Sequence, residues 1–266
     1  DIKVSSVTSG AVTALHHLAQ ELDIAGKIDG ALEKAGRRVQ KRDGLSMGES
    51  LLAGMISRAC APRSKRAFAA WAEATVLPEL MGFAAKDLDS QHFWDQMHAL
   101  PVALLGVVEQ AIVREVIGIE QLQPRALAYD TTNFYTHIAS TNQRPELPQR
   151  GHNKQGRHDL RQLGLALVVD QDTQLPLAHV LYEGARSDMR TFAAFLKPVR
   201  ERLHALTSQP QQLTLVFDAG ASSKANLQKL EAGADHYVTA VRPTYQQALL
   251  AEAADHLEDV TLSTGA

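Results

Sequence analysis

Two aspartates stand where short apolar runs stop: Ala126-Leu-Ala-Tyr-Asp130 and Leu215-Val-Phe-Asp218. In open sheets, ligand sites gather just beyond the carboxyl ends of strands, so two acids far apart in the chain meet there if their strands are neighbours. Paired carboxylates suit Mg2+ or Mn2+, hard cations that prefer oxygen ligands and keep several waters. Two such ions roughly 3.5–4 Å apart stabilise both the attacking and the leaving oxygen of a phosphoryl transfer. The plainer reading is that each aspartate forms a turn or caps a helix, because its side chain bonds nearby backbone amides. Spacing alone leaves both readings open.

A second group is the loop carrying Arg150, His152, Lys154, Arg157, His158 and Arg161. Phosphate contact is a natural use of such a loop, and a solvated charged surface is the alternative. His152 and His158 have no cysteine or third histidine at zinc-like spacing, so they read as polar or phosphate-facing. Asp159 reads as a cap or an arginine partner, Asp170 and Asp172 as turn residues, and Asp188 as an acid favoured at a helix start. Nearer the start, Arg37, Arg38, Lys41 and Arg42 form one basic cluster, and Arg58, Arg63, Lys65 and Arg66 another. The second lies between two expected helices, where a helix-turn-helix reader would place it, although a charge run also serves as a solvated face. Trp71, Trp94 and the single Cys60 have apolar neighbours and read as core.

The elements that must position these residues fall into two kinds. Residues 8–118 read as successive helices. Val12, Leu15, Leu18, Ala19 and Leu22 recur at helical spacing behind Ser9, an expected N-cap. Ser46-Met-Gly-Glu49 is a capping-box pattern, and Pro78 and Pro101 are breaks. After Pro124 the pattern changes to short apolar runs. A strand ends at Asp130, with Asn133 to Ile138 continuing or pairing with it. A hairpin is expected around Asp170-Gln-Asp172, then a helix from Asp188 to about Leu206 interrupted at Pro198. Leu213 to Phe217 is a buried strand, Ser222 to Leu230 a capped helix, His236 to Val241 a strand, and Tyr245 to His256 a helix. That order implies a mixed sheet covered by helices.

The 266 residues suffice for one large domain or two moderate ones. A net charge of -3 gives no overall basic signature, so any nucleic-acid partner must be met by local patches. One cysteine excludes an internal disulfide and a multi-cysteine zinc site. No stretch approaches the roughly 18 apolar residues of a membrane span, and the opening DIKVSSVTSG is not a secretory signal. The missing initiator Met suggests an excerpt of a longer protein.

The wording around the acids adds a resemblance. Tyr129-Asp-Thr-Thr-Asn-Phe134 is followed by Arg150-Gly-His-Asn-Lys154, Arg157-His-Asp-Leu160 and Leu163-Gly-Leu-Ala-Leu167. Then come Leu175-Pro-Leu177, Tyr182-Glu-Gly184, Ser187-Asp188, Thr191-Phe192 and Val216-Phe-Asp-Ala-Gly220. In this order, over roughly 125 to 243, the blocks resemble insertion-sequence DDE transposases of the IS-four-type group. The resemblance implies a ribonuclease H-like core (residues 121–266) behind an all-helical region (1–120), a candidate for DNA binding through its basic clusters. It implies that Asp130 and Asp218 are the first and second catalytic acids, holding two Mg2+ or Mn2+ ions. The third, a Glu in a Tyr-Arg-Glu-Lys type block, has no counterpart: Glu231, Glu252 and Glu258 lack that context. The core is therefore expected to be incomplete, ending near the start of an insertion domain. The implied activity is cleavage and strand transfer on double-stranded DNA, at transposon ends and target, by a cytoplasmic, nucleoid-associated homodimer. The alternatives are a DNA-binding relic without the third acid and a ribonuclease H-like nuclease acting on RNA or hybrids.

Overall fold

The computed structural model describes residues 6–139, 141–151, 156–206, 212–233, 235–240, 244 and 246–254, with only the backbone of Asp188, of 204–206 and of Ala254. The chain divides into two compact units, one running to Leu122 and the other starting at Gln123.

The first unit is helical: α1 (Gly10–Glu21), α2 (Ile24–Lys34), α3 (Met47–Cys60), α4 (Phe68–Glu73), α5 (Leu77–Met81), α6 (Ser90–Ala99) and α7 (Val102–Ile119). α3 starts as its sequence demands. The Glu49 N–H donates to Ser46 Oγ at 3.1 Å, and the Ser46 N–H donates to Glu49 Oε2 at 2.7 Å, which satisfies two otherwise orphaned donors. Ser9 holds the N-cap position of α1 but makes no side-chain cap, because its backbone is already helical. The core gathers Val12, Ala19, Leu52, Ile56, Phe68, Leu77 and Phe93. Fully buried His92 is held inside it, with Nδ1 2.9 Å from Asp43 Oδ2 and Nε2 3.0 Å from Ser50 Oγ. Trp71 is half-buried against that core, and so is Cys60. Trp94 corrects expectation: it is 58% exposed, with the Lys65 ammonium 4.4 Å above its ring. His92, Phe93 and Gln96 form the inward face of α6, and Trp94 falls on the face turned away from it.

The second unit is built on a sheet. Its strands are β1 (Ala126–Thr136), β2 (Arg161–Asp170), β3 (Pro176–Glu183), β4 (Thr214–Phe217) and β5 (His236–Thr239), in the order β3-β2-β1-β4-β5. β2 is antiparallel to both its neighbours, whereas β1, β4 and β5 run parallel. This is the mixed sheet covered by helices that the element order implied. β2 alternates half-buried and buried residues along its whole length, the period-two signature that fixes register. Its hairpin to β3 is tied by Asp170, whose Oδ2 accepts from the Thr173 N–H (2.9 Å) and hydroxyl (2.7 Å).

Helix α8 (Asp188–Leu206) covers one face through Phe192, Phe195, Val199 and Leu203, all buried at helical spacing. Phe192 packs edge-on to Tyr129 (centroids 4.9 Å) and against Phe217 (4.5 Å). Pro198 lies inside this helix and does not interrupt it. The buried apolar stripe on either side holds the helix through the one hydrogen bond that proline cannot donate. α9 (Lys224–Glu231) is capped by Ser223, whose Oγ accepts from the Asn226 N–H at 3.1 Å. Ser222, the expected start of that helix, is fully buried before it. α10 spans Gln247–Ala254. Among the described residues no helix is long and apolar enough to cross a membrane.

Candidate active site

The two acids owe their meeting to register. β1 and β4 are parallel neighbours, and their last registered pair is Tyr129↔Phe217. One residue further along each strand come Asp130 and Asp218. Neighbouring strands lie about 4.8 Å apart, so the two residues stand side by side at the carboxyl end of β4. The alternation that buries Tyr129 and Phe217 under α8 turns the next residue of each chain away from that core, and both acids are exposed.

Each carboxylate is oriented by nearby backbone. Asp130 Oδ1 accepts from the Thr131 N–H at 2.7 Å. Asp218 Oδ1 accepts from the Gly220 N–H at 2.9 Å and the Ala221 N–H at 3.3 Å, the turn geometry that an aspartate after a strand favours. The plainer reading of Asp218 is therefore true of it as well. The Thr239 hydroxyl, from the end of β5, donates to the Asp218 carbonyl at 3.3 Å.

Among the basic residues, Arg161 is not brought to the acids. Arg161 opens β2 opposite Thr136, six residues past Asp130 on β1, which is roughly 20 Å at about 3.4 Å per residue. Its guanidinium donates to the Asn142 carbonyl at 2.7 Å. Arg150, Arg157 and His158 are exposed, while His152 and Lys154 lie outside the described residues. Arg157 grips Asp159 with two hydrogen bonds, 2.9 and 2.8 Å, the arginine pairing expected of that acid. Of the three glutamates without family context, Glu231 accepts from the Tyr237 hydroxyl at 3.0 Å, Glu252 is exposed on α10, and Glu258 lies outside the described residues. Among the described residues no three His, Cys, Asp or Glu side chains form a metal-holding group.

Residues 121–260 match the family model described as transposase DDE domain. The chain belongs to the transposase DDE domain family. A search of curated proteins returns no match. Solved structures similar to this DDE chain include the Mos1 transposase paired-end complex with left transposon end, at 10% identity over 85% of this chain and 69% of that one, TM-score 0.30. The piggyBac transposase synaptic complex with hairpin DNA is 12% identical, with a TM-score of 0.44; the match covers 85% of this chain and 50% of that one. The Mos1 mariner paired end complex with Mn is 10% identical over 82% and 68% of the two chains, TM-score 0.31.

Sequence reading missed what stands behind Asp218. Asn226, 2% exposed, donates from Nδ2 to the carbonyls of Ala221 (2.9 Å) and Met189 (3.1 Å). A polar side chain two positions beyond a helix start gives no signal in one sequence that it will be buried.

Proposed function

We propose that this chain is the catalytic part of an insertion-sequence transposase of the IS-four-type group. It cuts DNA strands at the ends of its element and joins them to a target, using Mg2+ or Mn2+ held by Asp130 and Asp218. The reading is carried by the adjacency of two exposed carboxylates past one registered pair of parallel strands. Membership of a transposase family supports it.

The donor set fits such an ion. Both side chains offer only oxygen, and each has one oxygen engaged by backbone N–H groups, which leaves the other for a hard cation that keeps most of its water. Two ions, when bound, supply a deprotonated nucleophile and charge neutralisation at the departing oxygen. The chain itself contributes position: strand pairing fixes the spacing of the acids, and local backbone bonds fix their rotation. The loop that carries Arg150, His152, Lys154, Arg157, His158 and Arg161 meets phosphates of the same duplex, with Arg157 contributing less because Asp159 already engages its guanidinium. At 3.4 Å per base pair, the roughly 20 Å along β1 corresponds to about six base pairs. Handling two transposon ends calls for a homodimer on the DNA.

The test is Asp130→Ala and Asp218→Ala in the full-length protein, assayed on a transposon-end duplex with Mg2+. Cleavage and strand transfer are expected to fall to background while end binding persists. Cleavage at the wild-type rate by either variant overturns the assignment. Preference for an RNA–DNA hybrid over the transposon end would instead identify a ribonuclease.

A further inference from the structure

The segment between β4 and α9 is short, and its polar atoms are spent on one another. Gly220 and Ala221 point their N–H groups at Asp218 Oδ1. Ala221, 1% exposed, is held from the other side: its carbonyl takes the Asn226 Nδ2 donor at 2.9 Å. The same amide nitrogen donates to the Met189 carbonyl at the start of α8, so Asn226 ties the turn to a second helix. Ser222, also buried, has its Oγ 3.2 Å from the Ala240 carbonyl just past β5. The turn is thus pinned to α8 and to the β5 end, and the carboxylate is its only exposed acid. At Gly220 an added Cβ would stand 3.0 Å from Asp218 Oδ1, close enough that the carboxylate must give way.

We propose that Gly220 and Asn226 are positioning residues for Asp218, fixing Oδ1 against the turn so that Oδ2 alone is presented to a divalent cation. This rests on the reading of Asp218 as a metal ligand. Both N–H groups of this buried amide are used on carbonyls of separate elements, and losing them removes the tie between the turn and α8, the Ala221 carbonyl then keeping the Ser223 N–H at 3.1 Å. Residues that orient a ligating carboxylate without touching the ion typically change metal affinity 10- to 100-fold when replaced.

The experiment is a Mn2+ titration of the full chain followed by water-proton relaxation, with folding checked by circular dichroism and amide NMR spectra. The variants are Asn226→Asp, Gly220→Ala and, as a reference, Asp218→Asn. Asn226→Asp keeps the shape but removes the donors and adds a negative charge. Charge alone would tighten Mn2+ binding, so weaker binding reports geometry. The expected result is a Mn2+ dissociation constant raised about tenfold in Asn226→Asp and in Gly220→Ala, with the fold retained. Wild-type affinity in either folded variant, while Asp218→Asn loses binding, overturns the positioning role and leaves the metal site standing. Wild-type affinity in Asp218→Asn brings down both. If Asn226→Asp fails to fold, Gly220→Ala decides, since that position sits outside the core.

Discussion

Asp159, Asp170 and Asp218 share a side chain and differ in what surrounds it. Asp170 is 3% exposed and gives its Oδ2 to Thr173 inside a hairpin, a structural duty. Asp218 makes a similar turn but stays exposed beside a second acid. Asp159 is set by its arginine: the two hydrogen bonds from Arg157 pull its pKa from 3.8 down to about 2. A depressed folded-state pKa means that this pair contributes above pH 3.8 and is lost as pH falls through about 2. The pair is exposed, so its contribution to stability is small and screened by salt. An NMR titration of the Asp159 carboxyl carbon should give a midpoint near 2, returning toward 3.8 in Arg157→Gln. A midpoint near 3.8 in the wild type would show that the pair does not persist in solution.

Between elements, α2 and α3 approach closely at a glycine. Gly48, in the first turn of α3, is buried, and its N–H donates to Asp29 Oδ1 of α2 at 2.8 Å. A Cβ at Gly48 would overlap the Ala25 carbonyl, and backbone cannot swing aside as a flexible side chain does. Gly48→Ala should therefore force the two helices apart and destabilise this unit by about 1–3 kcal/mol, the range for overpacked cores. Chemical denaturation followed by the fluorescence of Trp71 and Trp94, both in this unit, measures it. An unchanged midpoint would mean that α2 yields without cost. Pro198 makes the complementary point in α8: a residue that breaks helices in isolation is tolerated where Phe195 and Val199 are both buried beside it.

For the whole molecule, the proposed function makes charge decide how DNA would be met. With a net charge of -3, binding must come from local cations, and each phosphate contact contributes about 0.9 to the slope of log affinity against log salt. Arg157 is already neutralised by Asp159, whereas Arg150 is exposed nearby. Arg150→Gln should flatten the slope by about 0.9, and Arg157→Gln by clearly less, in anisotropy titrations of a transposon-end duplex across salt. Equal changes would place both side chains on phosphates. The two units carry their own cores, one of helices and one of a sheet under α8, which is how 266 residues bury enough surface without one oversized interior.

What the sequence determined alone was local: the capping box at Ser46 and Glu49, the period-two strands, the Asp170 hairpin and the two acids ending their apolar runs. Each depends on neighbours a few residues away, where chain connectivity fixes distance. The ordered blocks around Asp130 and Asp218 also pointed to the DDE family matched by residues 121–260. Tertiary structure decided what depends on distant partners. It set β1 beside β4, exposed Trp94, carried α8 through Pro198, moved the α9 cap to Ser223 and buried Asn226 behind the Asp218 turn. Burial and pairing are settled by which surfaces meet, and a single chain read residue by residue carries no record of that.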